Sequence, residues 1–352
     1  MAKFKDYLKR KDVVFSAQRY GIDALGAMAQ GLFCSLLIGT LLNTIGTQFS
    51  LPLFNTLGSY ATGVAGPAMA IAIGYALSAP PLVLFSLIAV GKAANDLGGA
   101  GGPLAVLLIT IIACEAGKLV SKETKVDILV TPFVTIFIGV VLSLLCAPQI
   151  GACARAVGNF IDWATNLHPF MMGILVSVTV GIALTLPISS AAICHALTLT
   201  GLAGGAAVAG CCAQMIGFAV ISYKENGVGG LVSQGLGTSM LQMGNIVKNP
   251  RIWIPPTLCS AITGPIATCI FKLQMNGAAI SSGMGTCGMV GPIGVYTGWL
   301  SDISAGLKAG ITASDWIGLI LICIVLPAVI SPIISGFCKK LGWIKDGDMK
   351  LR

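Results

Sequence analysis

The chain has 352 residues, 55% of them hydrophobic and 10% charged, with a formal net charge of +8 and a mean hydropathy of +0.90. Soluble domains carry about 25% charged residues, and uncharged runs of this length would expose more apolar surface than water tolerates. The composition excludes a water-soluble enzyme, a nucleic-acid-binding module and a disordered chain, and it reads as an all-α polytopic membrane protein.

The positive charge sits at the ends: Lys3, Lys5, Lys9, Arg10, Lys11 and Arg19 on one side, Lys339, Lys340, Lys345, Lys350 and Arg352 on the other. Short basic flanks stay on the cytoplasmic face. Both termini are therefore expected inside, and the basic balance reads as topology and contact with anionic lipid headgroups, with no nucleic-acid partner. Residues 1–20 are too charged for a secretory signal. They read as an amphipathic cytoplasmic helix with Phe4, Tyr7, Leu8 and Val14 set against lysines.

A helix needs about 20 apolar residues to cross the hydrocarbon core, which predicts spans near 22–48, 104–117, 128–147, 169–186, 205–222, 252–272 and 313–334. The stretch 59–92 is apolar but interrupted by Ser78, Ala79, Pro80 and Pro81, and reads as two elements meeting at a kink. Residues 118–127 and 222–227 form charged loops. Residues 152–167 carry Arg155, Asn159, Asp162 and Asn166 beside Phe160, Ile161 and Trp163, and read as an interfacial amphipathic helix joining two halves. The expected domains are a cytoplasmic segment 1–20, a transmembrane domain 21–337 and a basic cytoplasmic tail 338–352. With both termini inside, eight or ten crossings fit.

Three further segments, 187–204, 228–247 and 276–296, combine apolar residues with dense Gly, Ser, Thr or Gln. Glycine weakens a helix by about 1 kcal/mol per residue, and broken backbone is tolerated at membrane depth only where protein or a water-filled cavity covers it. These segments are either re-entrant hairpins lining a solute site or helices packed closely through small residues. A weak internal match, Ala76–Pro81 with 183–188 and 97–102 with 202–207, suggests an internal repeat of the kind that builds transporters.

Ionisable groups inside a bilayer are costly and usually functional. The set here is Asp23, Lys92, Asp96, Glu115, His168, His195, Lys272 and Asp302. Lys272 reads as a snorkelling helix-end residue, Asp23 and Glu115 as interfacial, and His168, before Pro169, as a local cap or an interface group. Lys92 and Asp96, four apart on a helix, can pair or serve as a polar lining. His195, flanked by Ser189, Ser190, Thr198 and Thr200, offers the hydrogen bonding that a polyhydroxyl solute or a proton relay needs, and could equally be held by a backbone carbonyl. Asn276, Ser281, Ser282 and Thr286 offer neutral groups, with Gly291-Pro292 marking a sharp turn, and Gln234, Ser239, Gln242 and Asn245 offer more. Pro80, Pro81, Pro187, Gly291 and Pro292 are the expected hinges. No cofactor or metal is expected: the cysteines are scattered without CxxC spacing, and no Walker A loop, GxSxG, HExxH or channel-filter motif is present.

The Gly-rich PIGVY segment, the stretch KNPRIWIPPTLCSAITGPI from Lys248 to Ile266 and the proline-broken hairpins resemble the enzyme-IIC-like membrane proteins of the phosphotransferase system. The nearest resemblance is to the branch containing the perfringolysin O regulator PfoR, over about 20–337. The resemblance implies a bacterial inner-membrane homodimer with a scaffold part and a mobile part bearing two re-entrant hairpins, moving sugar by an elevator-like, alternating-access mechanism. On that analogy the hairpins lie around His195 and around 283–291. The carboxylate that glucose-type relatives use in the later hairpin has no counterpart here, because that segment contains no acidic residue. No phosphocysteine or phosphohistidine domain is expected after Phe337, so phosphorylation would require separate cytoplasmic components. The expected function is a transporter, not an enzyme, for a small neutral or polyhydroxylated solute. The alternatives are a membrane regulator that transports little and, last, an ion channel.

Overall fold

The computed structural model describes residues 2–351. Among them there is no β-strand, only an isolated bridge between Gly201 and Met275. The chain divides into two compact units, Met1–Cys153 and Ala154–Arg352.

The first unit opens with helix α1 (Ala2–Arg10) and continues through an irregular link into α2 (Arg19–Gln48). The amphipathic N-terminal helix is thus nine residues long, not twenty. Helices α3 (Pro52–Gly63) and α4 (Ala65–Ala76) meet at a 48° bend. Beyond the turn at Ser78–Pro80, α5 (Pro81–Gly98) begins with proline in its first turn, where the missing N–H costs nothing. Gly99, at φ 51°, then folds α5 back on α6 (Gly102–Val120), and a Cβ on Gly117 would lie 3.0 Å from Val83 Cγ1. The apolar stretch 81–120 is a helical hairpin, with Pro80 and Pro81 at one end and the glycine tip at the other.

Helix α7 (Asp127–Thr165) has 39 residues and crosses the boundary between the units. Residues 152–165 are its last turns, so the expected separate interfacial helix is part of a longer rod. At 1.5 Å per residue the rod is about 58 Å long, against a hydrocarbon core of about 30 Å. Ile128, Leu129, Phe133, Phe137, Leu144 and Leu145 are exposed along it, a surface suited to lipid.

In the second unit come α8 (Pro169–Thr185), the short α9 (Ser190–Ala196), α10 (Gly201–Ile221), α11 (Tyr223–Val232, kinked at Gly227), α12 (Met243–Lys248), α13 (Ile254–Pro265, extended by a π turn to Ile270), α14 (Val290–Ser304) and α15 (Ala313–Lys340). Helix α10 is the axis of this unit: Ala206–Ala213 are all buried. Its small residues permit backbone contact, since a Cβ on Gly205 would land on the Leu273 carbonyl and one on Gly210 on the Ser177 carbonyl. Val208, Cys212, Leu273, Met275, Val295, Trp299 and Ile322 form the apolar core on one side of it.

Among the described residues, five apolar helical stretches are long enough to cross a membrane when the hairpin 81–120 is taken as one, and six if the bent pair α3–α4 counts as one span. The expected eight or ten exceeds this because several apolar segments are cut into shorter pieces by Gly and Pro. The proposed repeat does not extend past the proline either: Pro81 opens an 18-residue helix, whereas Pro187 precedes one of seven.

The expected interfacial Glu115 is instead buried in a charged cluster at the end of the first unit. Lys118 is 1% exposed and reaches Glu115 Oε2 at 3.1 Å, the Asp12 carbonyl at 2.6 Å and the Leu77 carbonyl at 3.0 Å. Tyr20 donates to Glu115 Oε1 at 3.1 Å, and Arg19 holds Asp12 and the Leu77 carbonyl. Replacing Lys118 by Met would strand the Glu115 carboxylate, at an expected cost of about 3–5 kcal/mol. Thermal unfolding of the purified protein should show the loss, and the double variant Glu115→Gln/Lys118→Met should recover most of it.

The hydrogen bond from Arg19 holds the Asp12 carboxyl below its ordinary value of 3.8, against the opposing effect of burial. A depressed carboxylate stabilises the fold fully above its unfolded value and loses that contribution as pH falls through the folded one. Hydrogen-exchange protection factors over residues 6–18, taken relative to the intrinsic rate at each pH, should therefore be high at neutral pH and fall below about 3.8, and Asp12→Asn should lower them at neutral pH as well.

Candidate functional site

Helices α8 and α10 run parallel. Ser177 meets Gly210, and Thr185 Oγ1 reaches Gln214 Oε1 at 3.3 Å, so the residue numbers rise together. Residues 186–200 must therefore return along the bundle between them, which makes them a re-entrant segment. Helix α13 runs the other way: Ser177 Oγ donates to the Ser260 carbonyl at 2.7 Å and Thr268 Oγ1 to the Pro169 carbonyl at 2.8 Å.

The first re-entrant segment bends at the buried Pro187 and restarts as α9, whose N-cap Ser189 accepts from the Ala192 N–H at 3.2 Å. A second re-entrant segment, 276–289, consists of a short 3-10 turn, Ala279–Gly283, and a left-handed run at Gly285, Gly288 and Met289. The sharp turn thus falls before Gly291 and Pro292, which lie buried in the first turn of α14.

The two segments are bolted together by side chains that satisfy broken backbone. Ser190 Oγ donates to the Gly283 carbonyl at 2.7 Å, and Ser282 Oγ to the Leu199 carbonyl at 2.6 Å. Gly201 and Met275 exchange two backbone hydrogen bonds. At the tip, the buried Thr286 hydroxyl donates to the Gly235 carbonyl. Ser190, Ser282 and Thr286 are thus engaged with backbone. Ser281 is buried against Gly294, and His195 is exposed on the first segment with its backbone carbonyl capping α9.

Asn276 occupies a different position. Its Nδ2 donates to Asp302 Oδ2 at 2.8 Å on the wall of a cavity of about 270 Å³, shared with Gln274, Lys308, Asp315 and Trp299, beside the N-terminal end of α10. Lys92 and Asp96, in the other unit, form an exposed ion pair at 2.8 Å.

Sequence reasoning missed the polar cluster around Gln214. This fully buried amide receives the Trp253 indole N–H at 3.0 Å and donates to Thr257 Oγ1 at 3.2 Å. Thr185 joins it to Ser239, hydroxyl to hydroxyl, at 2.7 Å. A lone Gln in a helix of Gly, Ala and Cys was the available signal. Toward the C-terminal end of α10 a second amide cluster follows, with Gln242 donating to Gln234 Oε1, and Asn245 to Gln242 Oε1, each at 2.8 Å. Neither cluster contains an ionised side chain.

Residues 22–351 match the family described as phosphotransferase system, EIIC. The chain belongs to that family. EIIC proteins are the membrane transport component of the system, so this is a multi-pass bacterial membrane protein of sugar transport. No curated protein matches it, and no solved structure does.

The double variant Ser190→Ala/Ser282→Ala removes both hydroxyl bolts, each worth about 1 kcal/mol net. Hydrogen exchange within 276–289 should accelerate at least tenfold, while the middle of α10 stays protected.

Proposed function

We propose that this EIIC protein carries a neutral, polyhydroxylated, sugar-like solute across the bacterial inner membrane by alternating access, with elevator-type displacement of the part that bears the re-entrant segments. The observation that supports this reading is the meeting of two re-entrant segments on α10, next to clusters built only of hydroxyl, amide and indole groups. Such groups pair with sugar hydroxyls as both donors and acceptors, whereas a charged solute would need a compensating charge at that depth.

In this reading Asn276 stands at the entrance, in the cavity with Asp302. Ser189, His195 and Ser281 supply further polar groups along the segments. Ser190, Ser282 and Thr286 keep the segments in register, and Thr185, Gln214 and Ser239 join the binding set. Pro187 and the turn at 285–289 act as hinges, with Gly291 and Pro292 anchoring the helix beyond. Lys92 and Asp96 stabilise their helix as a pair outside the solute path. The basic flanks support cytoplasmic termini. Phosphorylation of the solute falls to separate cytoplasmic components, and assembly as a homodimer follows from the family resemblance.

Uptake of radiolabelled hexoses and polyols by cells expressing the chain tests the reading. Thr185→Val removes one hydroxyl and keeps the side-chain shape, and should weaken apparent affinity about tenfold, the worth of one hydrogen bond of about 1.4 kcal/mol. Lys92→Ala should transport normally. Uptake no greater than in cells lacking the protein, for every solute, overturns the proposal.

A further inference from the structure

Residues 338–352 are expected from the sequence to be a basic cytoplasmic tail, yet only the first three continue α15. Residues 341–351 turn back and lie in a cleft between α11 and α12. The cleft reads the tail through its backbone. Glu225 Oε2 accepts from the Met349 N–H at 2.9 Å, and Asn226 Oδ1 from the Leu351 N–H at 2.8 Å. The Met349 carbonyl receives two amides, Asn226 Nδ2 and Gln242 Nε2, each at 2.9 Å, and the Lys350 carbonyl receives Asn245 Nδ2 at 3.1 Å. Farther out, Asn249 Nδ2 donates to the Trp343 carbonyl at 3.0 Å and to Asp348 Oδ2 at 2.8 Å. Met349 is fully buried and Ile344 nearly so, whereas Lys345, Asp346 and Lys350 are exposed.

The cleft continues inward. Gln242, which holds the Met349 carbonyl, also donates to Gln234, and Gln234 donates to Ser222 at 2.8 Å. Gly235, the next residue, accepts from Thr286 at the tip of the second re-entrant segment. A path of contacts thus joins the tail to the turn at 285–289, which contains Cys287. Gln242 is fully buried, and Asn245 is 9% exposed. Once the tail leaves, their donors need new acceptors, and water or solute hydroxyls supply the same chemistry as the displaced carbonyls. Glu225 Oε1, buried without a hydrogen-bond partner among the described residues, is a further acceptor left over beside the tail.

We infer that residues 343–351 are a reversible strap: docked, it closes this end of the unit and holds the 234–235 segment against Thr286; released, it frees the second re-entrant segment and exposes amide donors to solute. The inference rests on the transport reading for its purpose and on the cleft for its mechanics. Backbone-directed hydrogen bonds and two buried side chains hold a segment with no helix or strand of its own, an arrangement that opens locally without unfolding the bundle.

Two full-length variants test it: Met349→Asp, which places a charge in a closed site, and Asn226→Ala, which removes two of the tail's hydrogen bonds. Hydrogen exchange at Met349 and Leu351 reports docking. Maleimide labelling of native Cys287, read by peptide mass spectrometry, reports the re-entrant tip. Labelling of Cys212, buried between α10 and α15, reports global opening. The expected result is slow exchange of the tail in the wild type, at least tenfold faster exchange in both variants, and Cys287 labelling raised about fivefold with Cys212 unchanged. A tail that exchanges freely in the wild type overturns the strap. So does a released tail with unchanged Cys287 labelling, or Cys212 labelling that rises with Cys287 in both variants. Uptake measured on the same proteins separates the two ideas: no transport by any of them sinks the transport reading, while the labelling still decides the strap.

Discussion

Close backbone contact around α10 is the constraint on which the second unit depends. Lipid tails are as apolar as Leu, so the hydrophobic effect does little to join helices inside a membrane, and packing of small residues with interhelical hydrogen bonds takes its place. Here Gly205 and Gly210 let neighbouring carbonyls touch the helix, and Ser260 Oγ donates to the Gly210 carbonyl at 3.2 Å while Ser177 reaches the Ser260 carbonyl. Because α8, α10 and α13 approach this closely, shorter and irregular pieces can lean on a rigid axis and still be covered by protein.

Coverage is what makes the irregular pieces possible. Each break in helical hydrogen bonding leaves donors or acceptors that lipid cannot satisfy. Ser190 and Ser282 each answer a break in the opposite segment, the pairing of Gly201 with Met275 answers another, and Thr286 answers one at Gly235, outside both segments. The cost of leaving any of these groups unpaired ties the two segments together, so displacement of one is coupled to the other. The same logic continues to the tail, whose carbonyls occupy the amides of Asn226, Gln242 and Asn245.

The two units treat polarity differently. In the first, ionised groups are buried together at a helix end, where Lys118 is matched by Glu115, Asp12 and two carbonyls. In the second, the buried polar groups near the re-entrant segments are neutral. A matched ionic cluster pins one arrangement, because losing either partner leaves an uncompensated charge. Neutral hydroxyls and amides exchange partners at lower cost, which suits a surface that must release and rebind a solute.

The sequence by itself determined the solvent, the class and the family. Uncharged runs demand lipid, the NPRIWIPP segment and Gly-rich stretches mark the EIIC resemblance, and the seven plain spans, from 22–48 to 313–334, are helical over most of their length. Density of Gly and Pro also showed where helices would break, because those residues act locally. Only the tertiary structure decided which apolar stretch is a hairpin and which a rod: Pro148 lies within a continuous helix, while Gly99 reverses the chain. It likewise decided that Lys118 is buried against Asp12 and Leu77, that Gln214 gathers Trp253, Thr257 and Thr185, and that the tail folds back onto Asn226 and Gln242. These are contacts between residues 29 to more than 100 positions apart, set by how the helices pack, and local pattern carries no record of them.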